Sequence, residues 1–286
     1  MMTVGGARCY EPDPMRLRGR GTSMPSRPRR RLLHTSDVHL GAYDSDEGGE
    51  SRAELHRTFQ RVIDIGLEYD VDLALIAGDF FDHARVSDDT IAFARDQLAR
   101  LSAPVVIGPG NHDHVGAGSI YDRTAHVFSE VDVKVIRQTG GESIELLDSQ
   151  IEVWGRAHDE TDSRFLPFAD PPERGTAPWQ IAIGHGHYIH PDALRSQSFH
   201  ILEQDLVAAD RDYVALGHWE RMTRVSAGIG RVAAYSGAPK SLSAHNGGYV
   251  MVVDLEEDGT VRLTAVPVEG HRAPIGHHAI PTLASG

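Results

Sequence analysis

The chain has 286 residues and a net charge of −13, and its hydrophobic share of 40% is enough for a sizeable core. Its single cysteine, Cys9, excludes a disulfide within the chain and a cysteine-based zinc site, so metal ligands must be His, Asp, Glu or Asn. No apolar run approaches the roughly 20 residues that span a bilayer, and the N-terminus lacks the apolar segment of a signal peptide, which favours a cytoplasmic protein without membrane contact.

Positive charge is concentrated at the N-terminus, where eight arginines lie within residues 1–31. We interpret residues 1–30 as a basic, disordered tail, with contact to nucleic acid as the alternative. The rest of the chain is correspondingly more acidic. An acidic body is a poor platform for non-specific binding of nucleic acid, which depends on Lys and Arg beside the phosphates.

Strands and helices alternate in the first part of the chain. Apolar runs predict strands at "RLLHTSD", "DLALIAGD" and "PVVIGPGNHD", and the second is apolar throughout, as expected for a strand covered on both faces. Helical spacing of apolar residues predicts a helix over 51–69. A second helix is predicted over 88–101, with Ser87 as its N-cap.

The later part of the chain is richer in strands. Strands are predicted at "VKVI", "SIELLD", "IEVWGRA", "WQIAIGHGH", "DYVALGH", "RVAAYSG", "GYVMVVDLE" and "TVRLTAVPV". The last two are joined by a hairpin turn at 257–259, and 163–178 is predicted to be a loop. These elements predict an α/β domain over 31–268, with two packed sheets and helices outside, followed by a disordered tail over 269–286.

Five polar clusters stand where predicted strands end. They are Asp37-Val-His39, Gly78-Asp79-Phe-Phe-Asp82, Gly110-Asn111-His112-Asp113, Gly184-His185-Gly-His187 and Gly217-His218-Trp219-Glu220. Strand ends are where α/β sheets place functional loops, and a glycine beside a ligand lets the backbone approach a metal or a phosphate. One such cluster is usually a turn or a surface pair. Five in this order indicate a site that binds borderline or hard divalent ions through nitrogen and oxygen.

These clusters resemble the ordered motifs of the calcineurin-like metallophosphoesterases. The flanking text "HTSDVHLG", "AGDFFD", "GPGNHD", "DYVALGH" and "YSGAP" is similar to the SbcD-type DNA repair exonuclease branch of that superfamily. The resemblance covers roughly residues 31–256. It implies a four-layer α-β-β-α sandwich, in which two mixed β-sheets are flanked by helices.

The resemblance also implies a site for two divalent ions. It places Asp37, His39 and Asp79 on the first ion, and Asp79, Asn111, His185 and His218 on the second. The family's second histidine of Gly-His-x-His returns to the first ion, and here that position holds Glu220. A carboxylate ligand there favours Mn, with Fe and Zn as alternatives.

The catalytic groups follow from the same resemblance. His112 is the family's non-ligand histidine, a general acid or electrostatic stabiliser beside the phosphate, and either Asp82 or Asp113 orients it. Two divalent ions clamp the phosphoryl group and acidify a bridging water, whose hydroxide attacks phosphorus in line.

Two positions leave alternatives open. Glu220 either binds the first ion or points away while water takes its place. In a different motif register, "GHGH" at 184–187 is the Gly-His-x-His motif and His158 takes the preceding place.

Three functions are compatible with these residues. The first is a metal-dependent phosphodiesterase of exonuclease type, with nucleic acid as substrate and an SbcC-like coiled-coil ATPase as partner. The second is a phosphohydrolase of a nucleotide or other small phosphoester, which the acidic body and the absence of the branch's capping region favour. The third is a binding module that has lost catalysis, in which Glu220 in place of the family's histidine reflects the decay of the metal site.

Overall fold

The computed structural model describes residues 27–44, 49–159, 164–189, 199–240, 247–269 and 272–283. Its helices are α1 (Gly49–Glu68), α2 (Asp88–Leu98), α3 (Ile120–Phe128) and α4 (Glu203–Ala209), with a 3-10 turn at His277–Ala279. Its strands are β1 (Arg30–Thr35), β2 (Leu73–Ala77), β3 (Val105–Gly108), β4 (Val133–Val135), β5 (Glu142–Leu146), β6 (Ile151–Gly155), β7 (Trp179–His185), β8 (His187–Ile189), β9 (His200–Leu202), β10 (Tyr213–Gly217), β11 (Thr223–Val225), β12 (Val232–Tyr235), β13 (Tyr249–Leu255), β14 (Val261–Pro267) and β15 (Ile275–Gly276).

Two large mixed sheets form the centre of the domain. Sheet 1 has the order β15-β14-β13-β1-β2-β3-β4, with β1 to β4 parallel and β13 to β15 antiparallel. Sheet 2 has the order β11-β12-β10-β7-β6-β5, with parallel pairing from β12 to β6 and an antiparallel strand at each edge. Strands β8 and β9 form a separate parallel pair. The predicted fold class, α/β with two mixed sheets, is confirmed.

Alternating side chains of sheet 2 enter two different cores. Ile181, Ile183 and Ala215 join the large core shared with sheet 1, whereas Val214 and Leu216 join a smaller cluster on the opposite face. Period-two alternation of this kind follows from strand geometry, because successive side chains point to opposite faces. Leu206 and Ala209 of α4 cover the smaller cluster, and α1 buries an apolar stripe in the larger one. The result is four layers, with helices outside both sheets.

The predicted helices begin and end close to their observed bounds. Ser87 caps α2 as predicted, since its Oγ accepts a hydrogen bond from the Thr90 amide at 3.3 Å. The turn at 257–259 joins β13 to β14, and Gly259 takes a φ of 87° there. Helices α3 and α4 are not predicted, because their 9 and 7 residues are too short to show a clear helical period.

Both predicted tails contribute residues to the domain. At the N-terminus, the carbonyl oxygen of Pro28 accepts a hydrogen bond from Trp179 Nε1 at 2.7 Å, and residues 1–26 lie outside the described residues. At the C-terminus, Ile275 and Gly276 pair with β14 and Ile280 is buried, so these residues of the predicted tail pack against the domain. Backbone pairing to a sheet edge and one buried side chain leave no periodic pattern in the sequence.

Across the part of the chain that is described, none of the helices combines the length and the apolar character that crossing a bilayer requires.

Candidate metal centre

The predicted site residues gather where five parallel strands end. Asp37 and His39 follow β1, Asp79 follows β2, and Asn111 and His112 follow β3 of sheet 1. His185 is the last residue of β7, and His218 follows β10 of sheet 2. Because the two sheets pack face to face, the carboxyl ends of their strands meet at one edge of the domain.

The backbone at these strand ends is held in an unusual conformation. Asp37, His39 and Asp79 have φ angles of 53°, 53° and 52°, and His218 has a φ of 106°. Left-handed backbone at residues other than glycine costs about 1–3 kcal/mol each, and it clusters at functional sites. The loops after β1 and β2 support each other, since the Asp37 amide donates to the Gly78 carbonyl at 3.0 Å and the His39 amide to that of Asp79 at 2.9 Å.

Glycines allow the close approaches that the site requires. A Cβ atom at Gly78 would collide with the imidazole of His185, and one at Gly110 would collide with the carboxylate of Asp79. Gly78 also takes a φ of 85°, which side chains disfavour. The expected role of glycines beside the ligands therefore has a steric basis here.

Two compact clusters of metal-binding side chains lie side by side among the described residues. In each, one ligand atom per residue lies within 4.8 Å of the others. The first, buried cluster consists of Asp37, Asp79 and His185, and the second, more open cluster consists of His39, Asp82 and His112. Asp79 lies between them, because its Oδ2 is 3.2 Å from His185 Nε2 and 3.9 Å from His39 Nε2.

The charges of the buried cluster are unbalanced without a cation. Burial raises the pKa of the Asp37 carboxyl, and the neighbouring Asp79 adds to this. Burial opposes charge on His185 as well, but Asp79 and Asp37 outweigh it and raise the pKa of His185 to about 10. Burial opposes the charge of Asp79 and by itself would raise its pKa. The neighbouring His185 and His39 outweigh burial, so the pKa of Asp79 is lowered. A proton on His185 thus supplies the positive charge that a metal ion would supply.

This donor set fits divalent metal ions. Asp37 and Asp79 are 4% and 3% exposed, and two buried carboxylates side by side are stable only when they are paired or coordinate a metal. The neighbours His39 and His185 offer imidazole nitrogens, which suit Mn, Fe and Zn. His185 Nδ1 donates to the carbonyl oxygen of Ala77 at 2.9 Å, which leaves Nε2 for a metal.

Asn111 and His218 lie next to the buried cluster. Asn111 Oδ1 is 3.1 Å from His185 Nε2, so both donor atoms face the same point. The ring of His218 lies 5.2 Å from that of His185 between centroids, and its backbone amide donates to Asp37 Oδ2 at 3.0 Å. Burial lowers the pKa of His218 to about 4, so its imidazole is neutral, as a ligand must be.

His112 is more exposed than the buried ligands and is oriented by Asp82. Its Nδ1 donates to the backbone carbonyl of Asp82 at 2.9 Å, and the carboxylate of Asp82 lies 3.6 Å away. That carboxylate is closer to His39 Nδ1, at 3.0 Å. Asp82 therefore holds both imidazoles.

Asp113, the other residue predicted as a candidate to orient His112, contacts backbone amides and a tyrosine hydroxyl. Its Oδ1 accepts from the amides of Gly110 and Asp79 at 2.7 and 3.1 Å. Its Oδ2 accepts from the amides of Phe80 and Phe81 at 2.8 and 3.2 Å, and from the hydroxyl of Tyr121 at 2.5 Å. Both oxygens are thus used to fasten the loops after β2 and β3 together, and neither orients His112.

Tyr121 is a supporting residue that the sequence does not reveal. It lies on α3, a helix that is not predicted, and it is 1% exposed. A tyrosine in a short helix carries no signal that it faces a carboxylate 8 positions earlier.

Glu220 is not part of either cluster. It is partly exposed, its carbonyl oxygen accepts from the Ala238 amide at 3.0 Å, and it lines a cavity beside His218. Its place as a metal ligand stays a prediction.

The alternative motif register is disfavoured by the positions of two other histidines. His187 Nδ1 accepts a hydrogen bond from Trp219 Nε1 at 3.0 Å, and His187 is in neither cluster. His158 is buried, with its ring 4.6 Å from that of Phe165 and 4.0 Å from that of Phe199. His185, by contrast, joins the carboxylates.

A profile of the family described as Calcineurin-like phosphoesterase matches residues 30–222, more than half of the chain. The chain belongs to this family. The match includes every strand end that carries a candidate ligand, and the predicted family is confirmed. The predicted enzyme class, a metal-dependent phosphoester hydrolase, agrees with this family.

Curated relatives include proteins of DNA repair. The DNA double-strand break repair protein Mre11 of Methanopyrus kandleri is 26% identical over 267 residues, which are 85% of this chain and 58% of that protein. The uncharacterized metallophosphoesterase YhaO of Bacillus subtilis is 26% identical over 68% of this chain and 50% of its own length. This calcineurin-like phosphoesterase chain therefore spans between 50% and 58% of these two relatives.

A solved structure shows the same fold in a more distant protein. The purple acid phosphatase PPD1 from yellow lupin seeds superposes with a TM-score of 0.53 at 12% identity, over 87% of this chain and 53% of that one. At that identity the likeness shows the fold alone.

Proposed function

We propose that this calcineurin-like phosphoesterase is a phosphodiesterase that works with two divalent ions. The observation that supports it most directly is the pair of neighbouring ligand clusters, in which Asp79 of the buried cluster lies near both its neighbour His185 and His39 of the open cluster. The second cluster also contains His112, the predicted acid, so a phosphoester held there meets an imidazole as well as the ligands.

The proposed ligand assignment draws on both clusters but divides them differently: Asp37 and His185 of the buried cluster go to different ions, and Asp82 and His112 go to neither. The first ion takes Asp37, His39, Asp79 and Glu220, and the second takes Asp79, Asn111, His185 and His218. Mn is the preferred ion of the proposal, because mixed oxygen and imidazole donors with a carboxylate at position 220 favour a harder metal than an all-imidazole set does.

The chain's own residues account for proton transfer and positioning. Bound divalent ions supply charge neutralisation of the phosphate and acidification of a water. His112 donates a proton to the leaving oxygen or stabilises its charge. Its Nδ1 is bonded to the Asp82 carbonyl, so this role falls to its Nε2. General acid catalysis of this kind contributes about 10²–10⁴-fold.

Two cavities favour a diester over a monoester. One cavity is lined by Asn111, His112 and Arg85, and the other by His218, Trp219 and Leu283. A phosphodiester carries two substituents, and the cavities give each of them a place at the centre.

DNA is the substrate that the relatives suggest. Similarity to proteins named DNA double-strand break repair protein Mre11 supports a nuclease that acts on DNA. An SbcC-like coiled-coil ATPase as partner and a cytoplasmic location, which the sequence predicts, belong to the same proposal. The charge of −13 favours the second candidate, a small nucleotide phosphoester, because an acidic body repels a long polyanion.

Side-by-side hydrolysis assays test the proposal. The protein is stripped of metal, supplied with Mn²⁺, and offered bis(p-nitrophenyl) phosphate, p-nitrophenyl phosphate, single-stranded DNA and duplex DNA. We expect the diester to be hydrolysed faster than the monoester. His112→Gln should lower kcat by about 10²–10⁴-fold, whereas His126→Gln, on the exposed face of α3, should not.

The outcomes separate the candidates. Hydrolysis of the small diester without cleavage of either DNA would exclude the nuclease function. Faster hydrolysis of the monoester than of the diester would exclude the phosphodiesterase function. No hydrolysis with any divalent ion supports the binding module that has lost catalysis.

A further inference from the structure

We propose that the cavity between Trp219 and Leu283 binds a nucleoside, as the substituent of the substrate that stays on phosphorus. The inference rests on the proposed phosphodiesterase and names its substrate class. The cavity has a volume of about 570 Å³, which lies within the range of about 300–1,000 Å³ for small-molecule sites. His218 lines it, so it opens from the metal centre.

Trp219 forms a rigid aromatic wall of this cavity. Tyr235, itself buried, stacks on the indole at 4.5 Å between ring centroids and an interplanar angle of 11°. The indole Nε1 donates to His187 Nδ1 at 3.0 Å, which fixes the rotation of the ring in its plane. A ring that is already fixed loses little conformational entropy when a planar ligand packs on its other side.

Another part of the lining comes from the C-terminal segment. The Leu283 amide donates to the Arg224 carbonyl at 2.9 Å, and the Arg224 amide donates to the Pro281 carbonyl at 2.8 Å. These bonds attach residues 281–283 to β11, and the side chain of Leu283 packs against the same apolar cluster as Trp219. An indole and a leucine that line one cavity suit the flat faces of a nucleobase.

A second cavity, beside His112, determines which substituent of the phosphodiester enters the Trp219 cavity. It has a volume of about 460 Å³ and is lined by Asn111, His112 and Arg85, together with other polar residues. His112 delivers its proton to the leaving oxygen, so the leaving group must lie on that polar side. The substituent that remains on phosphorus then lies on the Trp219 side.

Arg221 also lines the Trp219 cavity. Its guanidinium offers hydrogen bonds to the polar edge of a base or to a sugar hydroxyl. An apolar body with a polar group at its edge is the composition that a nucleoside requires, whereas a purely aliphatic substituent would leave the guanidinium without a partner from the ligand.

Intrinsic fluorescence gives a test that does not depend on catalysis. The chain has three tryptophans, and Trp154 and Trp179 are 2% and 0% exposed, so a stacked base quenches Trp219 selectively. Thymidine 5′-monophosphate should quench in buffer with Mg²⁺, and ribose 5-phosphate and inorganic phosphate should not. Trp219→Phe should lose this signal.

Kinetics with two diesters test the same cavity during turnover. Thymidine 5′-(p-nitrophenyl phosphate) and methyl p-nitrophenyl phosphate share a leaving group and differ in the retained substituent. We expect kcat/KM to favour the thymidine ester, and Trp219→Ala to reduce that preference on the order of tenfold. Trp219→Phe should keep most of the preference, and Leu283→Ala should reduce it several-fold.

Failure of the subsite and failure of the proposed function give different results. If both esters are hydrolysed with equal kcat/KM and the nucleotide does not quench, the subsite is overturned while the phosphodiesterase stands. If neither ester is hydrolysed but the nucleotide quenches Trp219, the subsite stands and the phosphodiesterase is overturned. If neither hydrolysis nor quenching occurs, both are overturned.

Discussion

Position 220 holds a carboxylate where the family motif has an imidazole, and Glu220 lines the same cavity as His218 without joining either ligand cluster. Replacing a neutral donor by a charged one lowers the net charge at the ion and favours a harder metal.

The first prediction concerns Glu220→Gln. Removing the carboxylate charge should weaken binding of one of two Mn²⁺ ions by at least about tenfold, a loss at the lower end of what altered metal sites show. Isothermal titration of the metal-free protein measures both affinities. Glu220→His should restore two-ion binding and shift the preference from Mn²⁺ to Zn²⁺.

Glu130→Gln is the matched control, since Glu130 is exposed and lies after α3, outside the residues assigned to the site. Two Mn²⁺ ions bound by Glu220→Gln with the affinities of the unchanged protein would show that Glu220 is not a ligand.

At the scale of elements, one buried carboxylate joins four separate parts of the chain. Asp212 precedes β10 and is 2% exposed. It pairs with Arg27 of the N-terminal segment at 3.1 Å, with Arg231 before β12 at 2.8 Å, and with Arg174. It also accepts from the Gln180 amide in β7 at 2.9 Å. This cluster lies at the start of the strands whose other ends carry His185 and His218.

The second prediction follows from that burial. Asp212→Ala leaves three guanidinium groups without their shared partner, and breaking a buried ion pair from one side costs about 3–5 kcal/mol. Urea denaturation measures the free energy of unfolding. Asp210→Ala is the control, because Asp210 is 51% exposed and its pair with Arg231 is worth about 1 kcal/mol or less. Equal losses in the two variants would contradict a central role for Asp212.

At the scale of the whole molecule, a histidine links the two sheets. His34 of β1 in sheet 1 lies with its Nδ1 2.7 Å from the hydroxyl of Tyr213, in β10 of sheet 2. Burial lowers the pKa of His34 from 6.5 to about 3, although a backbone hydrogen bond at Leu216 opposes the shift.

The third prediction is a loss of stability in acid. Since the pKa of His34 is lower in the folded chain, protonation favours unfolding: the stabilisation is present above pH 6.5 and is lost as the pH falls towards about 3. The slope for one such group is about 1.4 kcal/mol per pH unit, so His34 by itself should lower the free energy of unfolding by about 2 kcal/mol from pH 7 to pH 5.

Denaturation of the metal-free protein at both pH values measures that drop. His34→Gln should remove this part of it, and His126→Gln, at an exposed position on α3, should not. An identical drop in His34→Gln and the unchanged chain would show that His34 does not contribute.

Local patterns in the sequence predict much of the fold and most of the site. The strand that ends at Ala77 and the helix capped by Ser87 are determined by contiguous residues, because apolar runs and caps act over a few positions. The ligand candidates share the same advantage, since each stands at or just after the end of a strand, and Asp79, Asn111, His185 and His218 each follow a glycine.

Other features depend on residues far apart in the chain, and only the tertiary structure decides them. Asp113 faces amides after β2 and a hydroxyl on α3, so its role in fastening loops has no local pattern. The order of strands, the pairing of 275–276 with β14 and the cavity between Trp219 and Leu283 are likewise non-local. The sequence by itself determines which residue types stand at each strand end. The packing of two sheets determines which of them meet, because contact distances are set by the whole core.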